Sequence, residues 1–181
     1  RPDADGDVWD LQWPVMLVDW QSACAYAKWR SEKEGLAWRL PHELEWEKAA
    51  RGVDGREYPW GDFFDASWCC MRDSHPDKPL IRNNGSFPVD CSVYGVRDMA
   101  GNTHEWTQSV FDSQESQITN RRFIENEIDT LSDDSIPPHL RVVVRGGGWR
   151  SPSSQCATHY RGFADLDRRN NQIGFRLVRV L

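Results

Sequence analysis

The sequence predicts an α+β fold that is rich in loops, and three observations lead to this prediction. Ten tryptophans stand among 13 glycines and ten prolines, so that large rings supply burial that long helices and strands would otherwise provide. Helical patterns occur in the first third of the chain, and short runs of β-branched residues occur near its end. With 181 residues, 39% of them apolar, the chain is expected to form a single domain, residues 1–181.

The first predicted helix covers residues 21–35. Small and aromatic residues recur there at helical spacings, which lets this segment pack closely against a neighbour. Asp19 stands where its carboxylate can cap the helix start, and Gly35 stands where the helix should end.

The second predicted helix covers residues 38–52. Pro41 suits a first helical turn, where its missing N–H costs nothing, and Gly52 should terminate the helix. Three residues are expected to face inward: Leu44, Ala49 and Ala50.

Beyond residue 52 the pattern changes to turns, followed by strands near the end of the chain. The stretches "LRVVVRGGGW" and "IGFRLVRVL" are predicted as short strands because β-branched residues suit a packed sheet. Residues 112–140 are polar and acidic with weak periodicity, and we interpret them as a long surface insertion.

Charge and hydropathy exclude two classes of partner. The formal net charge is −6, so the long-range field repels polyanions, and nucleic acid is not an expected partner. No stretch approaches the roughly 20 apolar residues that span a bilayer, so membrane insertion is not expected either. Because the first residue is Arg1, we expect the chain to be a fragment or a processed product.

The five cysteines predict a reduced, cytoplasmic-type setting. Their number is odd and they lack the paired spacing of a zinc site. A bridge between the adjacent Cys69 and Cys70 would be strained, although a bridge from either of them to Cys91 stays open as an alternative.

Five ordered motifs resemble those of the formylglycine-generating-enzyme, or sulfatase-modifying-factor, domain family. They are "PVMLVDWQSACAYAKW", "WRLPHELEWEKAARGVDGREYPWGD", "YGVRDMAGNTHEWTQS", "VVVRGGGWR" and "NNQIGFRLVRVL". The resemblance implies a variant C-type lectin-like fold with short antiparallel strands and two helices. The wording around "GREYPWGDFFDASWCCMRDS" is most similar to members fused to bacterial serine/threonine protein kinases. Family domains begin with further strands, so the resemblance also implies that a preceding segment or a second chain supplies that part.

The resemblance also implies a test for catalysis. Enzymes of the family oxidise a substrate cysteine with O₂, and two cysteines after the Arg-Gly-Gly motif hold copper(I). Those two positions fall on Ser151 and Cys156. A hydroxyl is a hard donor that does not replace a thiolate for copper(I), so copper is not an expected cofactor and no catalytic residue is assigned. Cys156 would be catalytic only in an oxidase, and we otherwise expect a buried packing residue.

A structural Ca²⁺ ion is the one metal that the resemblance supports. The family position maps onto the side chains of Asp98 and Glu105 and the backbone carbonyls of Gly101 and Thr103. Hard oxygen donors from one short turn suit this ion. The alternative is that Asp98 and Glu105 cap the turn by accepting backbone N–H groups.

The segment after the Arg-Gly-Gly motif is exposed and faces ligands in this family, which implies a binding surface here. Mixed aromatic and small polar residues are typical of recognition surfaces. The candidate ligand-binding residues are Arg150, Ser151, Ser153, Ser154, Gln155, His159, Tyr160 and Phe163. Trp149 and Arg161 are expected to be buried instead, with Asp165 or Asp167 as the carboxylate partner of Arg161.

Three functional hypotheses follow, and the first is preferred because the copper-binding pair is incomplete. It is a non-catalytic domain of a larger bacterial signalling protein that binds an unknown protein or small-molecule ligand. The second is a variable protein of a diversity-generating retroelement, which would be recognised by a near-copy of the DNA encoding residues 149–176 beside a reverse transcriptase gene. The third is an oxidase, either formylglycine-forming or an iron enzyme that needs a histidine-bearing partner domain.

Overall fold

The computed structural model describes residues 9–76, 79–111 and 140–180. The predicted insertion, residues 112–140, therefore lies outside the described residues except at its last position. The elements, in chain order, are α1 (Trp20–Glu34), β1 (Trp38–Arg39), α2 (Glu43–Arg51), a 3₁₀ turn (Ala66–Trp68), β2 (His104–Val110), β3 (Arg141–Arg145), α3 (Ser153–Cys156), β4 (Gly162–Asp165), β5 (Ile173–Phe175) and β6 (Val178–Arg179).

Helix α1 begins and ends where its local signals predict. The Asp19 side chain accepts a hydrogen bond from the Ser22 backbone N–H at 2.7 Å. At the other end Gly35 adopts a left-handed conformation with φ of 67°, and its N–H donates to the Ser31 carbonyl. Trp20, Ala23 and Ala27 form the buried face of this helix.

Helix α2 begins two residues later than the position of Pro41 predicts. His42 is the N-cap, since its Nδ1 accepts from the Leu44 N–H while the Glu45 carboxylate accepts from the His42 N–H. The expected inward face was partly wrong. Ala50 is buried, but Leu44 and Ala49 are only half-buried, and Glu43 and Trp46 are the other buried residues of the helix.

Among the described residues, the main sheet has four strands in the order β4-β3-β2-β5. Strands β2 and β3 are antiparallel, as are β3 and β4, whereas β2 and β5 are parallel. The sheet is therefore mixed, and the expectation of antiparallel strands fails at this one pair. Strand β1 pairs with β6 in a separate two-stranded antiparallel sheet. Within the main sheet Glu105 lies opposite Arg145. The motif "YGVRDMAGNTHEWTQS" therefore lies beside the motif "VVVRGGGWR".

Tryptophan rings fill the core, as the composition predicts. Trp46 and Trp106 are the largest of the fully buried side chains among the described residues. Each indole N–H is paired, because Trp106 Nε1 donates to the Val18 carbonyl and Trp46 Nε1 donates to Glu105. Trp20 Nε1 likewise donates to the Thr107 carbonyl, which ties α1 to the centre of the sheet.

The five cysteines, all of them among the described residues, are free. The alternative of a bridge from Cys69 or Cys70 to Cys91 is therefore not realised. The Cys70 thiol donates instead to the Leu80 carbonyl at 3.3 Å, and the Cys91 thiol to the Ser92 carbonyl at 3.7 Å.

Candidate functional site

A buried arginine fixes the loop that follows β3. The Arg145 side chain has no exposed surface, and its guanidinium donates to Glu47 Oε2 at 2.6 Å and to the Thr158 carbonyl at 2.8 Å. The Trp46 ring lies beneath it, with 5.3 Å between the guanidinium carbon and the ring centroid. Burial lowers the pKa of Arg145, and the carboxylate of Glu47 opposes that effect. The start of the loop is thereby held against α2.

A second arginine, Arg161, also pairs with a carboxylate of α2, at Glu43, one helical turn before Glu47. Arg161 Nη2 donates to Glu43 Oε1 at 2.7 Å. Glu43 and Glu47 are four residues apart on α2, so their carboxylates form a ladder for Arg161 and Arg145. The expected partners of Arg161, Asp165 and Asp167, are exposed, so that expectation was wrong. The carboxylate spacing on α2 was the sequence signal that could have indicated the true partners.

The loop then packs closely against α3, and glycine is what permits this. Gly147 has a φ of +75°, and a Cβ at this residue would lie 2.8 Å from Cys156 Sγ and 2.9 Å from the Gln155 carbonyl oxygen. Neither contact is sterically tolerable. Glycine at residue 147 therefore allows the loop after β3 and helix α3 to approach each other closely.

Ser151 lies inside the loop rather than on its surface. The residue is 3% exposed, so its assignment to the binding surface was wrong. Its Oγ accepts from the Gly148 backbone N–H at 3.0 Å and lies 3.2 Å from His104 Nε2. Burial lowers the pKa of His104 to about 4, so the imidazole is neutral near pH 7 and can accept the serine hydroxyl proton. Nδ1 of His104 has no hydrogen-bond partner among the described residues.

Cys156 is fully buried at the end of α3, which agrees with the expectation of a packing residue. It shares an apolar cluster with Cys69, Met71 and Ala100. A hydrogen bond between the two thiols, together with burial, raises the pKa of Cys69. Sequence reasoning did not pair these two cysteines, which are far apart along the chain.

A hollow of about 450 Å³ lies over one end of the main sheet. Gly162 and Ala164 of β4 are buried, whereas Phe163 and Asp165 are exposed, and all four border the hollow. The hollow therefore lies along β4, which pairs only with β3 among the described strands. Among its lining residues are Gln155, Tyr160, Phe163, Arg168 and Gln172.

The predicted binding surface is only partly brought together. Exposed members are Arg150, Ser154, His159 and Phe163, and half-buried members are Ser153, Gln155 and Tyr160. Gln155, Tyr160 and Phe163 border the hollow. Arg150 lies apart, stacked over the buried Trp149 ring at 4.2 Å. Sequence reasoning missed His104, Arg168 and Gln172, which also border the hollow.

The four predicted calcium-binding residues do meet, around a smaller hollow of about 300 Å³. Its lining includes Asp98, Gly101, Thr103 and Glu105. Arg176 lies across this group, since its Nη2 donates to Glu105 Oε1 at 2.6 Å and to the Asp98 carbonyl at 2.8 Å. The Asp98 carboxylate accepts from the Gly85 N–H at 2.7 Å. A cation at this place would have to displace the guanidinium from Glu105.

This architecture of short strands and long loops defines a C-type lectin-like domain, and comparison with known proteins specifies which kind. Residues 6–181 match the model of the FGE-sulfatase family, described as a sulfatase-modifying factor enzyme 1-like domain. The chain belongs to this family, so the resemblance stated from the motifs is confirmed.

Relatives in the family include enzymes, a protein named inactive and kinases. The chain is 36% identical to the bovine inactive C-alpha-formylglycine-generating enzyme 2, covering 76% of this chain and 46% of the relative. It is 35% identical to the Mycobacterium tuberculosis formylglycine-generating enzyme, covering 91% and 56%. It is 31% identical to the serine/threonine-protein kinase Pkn1 of Chlamydia trachomatis, covering 92% and 24%. The chain thus spans between about a quarter and somewhat more than half of these relatives.

Solved structures confirm the fold. PvdO from Pseudomonas aeruginosa matches with a TM-score of 0.76 at 24% identity, covering 97% of this chain and 65% of that protein. Treponema denticola variable protein 1 matches with a TM-score of 0.71 at 19% identity, covering 97% and 76%. In the part of the chain that the structure describes, every helix is too short or too polar to cross a membrane.

Proposed function

We propose that this chain is a non-catalytic ligand-recognition domain of the FGE-sulfatase family, within a larger bacterial signalling protein. The observation that carries the proposal is the buried hydroxyl of Ser151, bonded to the Gly148 N–H and to His104. At the position where the resemblance implies the first of two thiolates, this chain has the Ser151 hydroxyl. That oxygen is a hard donor, and it already makes hydrogen bonds within the protein. Overall identity does not decide the matter, because the chain is about equally similar to a relative named inactive and to one named as the enzyme.

The second sulfur near Cys156 does not restore the enzyme's donor pair. Cys69 comes from a different segment, and both thiols have no exposed surface. The pKa of Cys69 is raised through its bond with Cys156 and through burial, which favours the neutral thiol over the thiolate that copper(I) requires. In the closed structure a substrate peptide would also have no path to these sulfurs, which are enclosed in an apolar cluster.

Non-catalysis is tested by direct assay. The purified chain, supplied with copper(I), O₂ and a cysteine-containing sulfatase peptide, is expected to give no aldehyde by mass spectrometry. The Mycobacterium tuberculosis formylglycine-generating enzyme, assayed in parallel, serves as the positive control. Aldehyde formed by this chain above the no-enzyme background would overturn the proposal.

The hollow along β4 is the proposed recognition site. Its lining includes the buried apolar residues Val144 and Ile173, together with the exposed Arg168 and the half-buried Gln155 and Gln172. Within the described ranges these three side chains make no hydrogen bond, so their polar groups are available to a ligand. A concave apolar floor with a few polar groups at its rim is the usual construction of a ligand site.

Binding is tested with N-acetyl amino-acid amides as probes, titrated into isotope-labelled protein. We expect chemical-shift changes that cluster on Gln155, Phe163 and Gln172, and we expect Gln172→Ala to weaken them. Gln21→Ala, an exposed glutamine on α1, is the matched control and should leave them unchanged. Shifts that map elsewhere, or no saturable shifts with any probe, would contradict the assignment of this hollow.

Calcium binding in the smaller hollow stays a prediction. Two carboxylates and two further residues of the expected set border that hollow, but Arg176 must release Glu105 before the ion can bind. We therefore expect weak affinity, with a dissociation constant on the order of 10⁻⁴–10⁻³ M. Titration calorimetry should detect it, and Asp98→Asn, which removes one negative charge but keeps a residue tolerant of the left-handed backbone at φ of 56°, should weaken it further. If millimolar Ca²⁺ produces no heat of binding and no thermal shift, the calcium proposal is wrong.

A further inference from the structure

Two cysteines that are distant in the sequence meet in the interior of the protein. Cys69 follows the 3₁₀ turn, and Cys156 is the last residue of α3. Their segments run side by side, because the Arg72 backbone N–H donates to the Ser151 carbonyl at 3.1 Å. Both thiols are fully buried in one apolar cluster, which also contains Met71 and Ala100.

The geometry singles out this pair from the other cysteines. Cys70 directs its thiol to the Leu80 carbonyl, and Cys91 directs its thiol to the Ser92 carbonyl. Cys24 packs against the separate core cluster around Trp106. Among the described residues, Cys69 and Cys156 are therefore the two cysteines that share one buried cluster, since Cys70 belongs to another cluster.

We propose that Cys69 and Cys156 are an oxidisable pair, which a low-molecular-weight disulfide such as glutathione disulfide converts into an intramolecular disulfide bond. The proposal concerns the interior of the domain and does not depend on ligand binding at the hollow. Its chemistry is thiol–disulfide exchange, and its oxidant is the small disulfide itself.

The exchange proceeds in two balanced steps. The Cys156 thiolate attacks one sulfur of the small disulfide, forming a mixed disulfide and releasing one small thiolate, which takes up the proton that Cys156 lost. The Cys69 thiolate then attacks the Cys156 sulfur and expels the second small thiol, which carries the proton from Cys69. The two cysteines lose two electrons and two protons in total, and the small disulfide gains them as two thiols.

The fold gives the oxidant a route to Cys156. Both thiols are enclosed in the closed structure, so exchange requires local opening. Helix α3 is a single turn of four residues, and Pro152 at its N-cap supplies no side-chain hydrogen bond. Cys156 is the last residue of this short turn, which is why we place the first attack there. Exchange is expected to be slow because burial and the thiol–thiol bond raise the pKa of Cys69.

The disulfide would fasten α3 to the segment around Cys69. Gln155, which borders the larger hollow, precedes Cys156 directly in that turn. Closing a long loop with a covalent bond restricts the unfolded chain, so the midpoint of thermal unfolding is expected to rise by about 5–10 °C. Reduction with dithiothreitol should reverse the rise.

The experiment equilibrates the whole chain with glutathione and glutathione disulfide, starting once from reduced protein and once from protein refolded in the presence of the oxidant. Free thiols are then alkylated with N-ethylmaleimide under denaturing conditions, and the intact mass and the peptide map are measured. We expect three of the five cysteines to be alkylated and one crosslinked peptide that joins Cys69 to Cys156.

Cysteine variants make the assignment specific. Cys69→Ala and Cys156→Ser should each abolish the crosslink and the thermal shift, whereas Cys91→Ser should retain both. Five alkylated cysteines from both starting states would overturn the proposal. A crosslink that involves Cys70, Cys24 or Cys91 in place of either member of the pair would also overturn it.

Discussion

Arg145→Leu is expected to lower the free energy of unfolding by about 3–5 kcal/mol, which is the usual effect of removing one partner from a buried ion pair. The guanidinium is fully buried and supplies the donors that satisfy Glu47 and the Thr158 carbonyl. Leucine fills part of the volume but leaves these acceptors without a donor from this position. Urea-induced unfolding, followed by tryptophan fluorescence, measures the loss.

The matched control uses the same carboxylate. Arg51 Nη1 donates to Glu47 Oε1 at 2.8 Å, but the Arg51 side chain is 28% exposed. Partly exposed ion pairs contribute little, so Arg51→Leu is expected to cost at most about 1 kcal/mol. If the two variants lose the same stability, the burial of Arg145 is not what makes its interaction strong, and our account of the loop after β3 is wrong.

Local signals carried much of the fold prediction. Helix α1 was predicted correctly because Asp19 and Gly35 act on the backbone within a few residues of themselves. The start of α2 was misplaced because two local signals predict different starts. Pro41 suits a first helical turn, but the capping box of His42 and Glu45 begins the helix at Glu43. The family was recognised because the spacing of its motifs is preserved along most of the chain.

The candidate site was harder to predict because its contacts are distant in the sequence. Ser151 was assigned to the surface as a small polar residue, but His104, on β2, provides the partner that makes its burial tolerable. Arg161 likewise pairs with Glu43 of α2, which lies 118 residues away, rather than with the nearby aspartates. Chemistry alone identifies which groups need a partner, whereas the fold decides which partner they meet.

Gly101→Ala is the second substitution for which we expect a large loss, about 2–5 kcal/mol, and its causes can be separated. Gly101 has a φ of +78°, and a Cβ at this residue would lie 2.1 Å from the Cys70 carbonyl oxygen. That oxygen accepts from the Asn102 N–H at 2.7 Å, and the Gly101 N–H donates to the Gly146 carbonyl. The Cβ therefore forces apart three segments at the point where they cross.

Gly35→Ala isolates the contribution of the backbone conformation to that loss. Gly35 has a similar φ of +67°, but a Cβ there would meet nothing within 4 Å, so its variant carries only the conformational cost of about 1–2 kcal/mol. Overpacking adds about 1–3 kcal/mol at Gly101, because the clashing atom belongs to the backbone and cannot rotate away. Equal losses in the two variants, measured by urea-induced unfolding, would show that residues 70, 101 and 146 can separate freely. A loss larger by about 2 kcal/mol for Gly101→Ala than for Gly35→Ala would show that the crossing resists separation beside the smaller hollow, which Gly101 and Thr103 line.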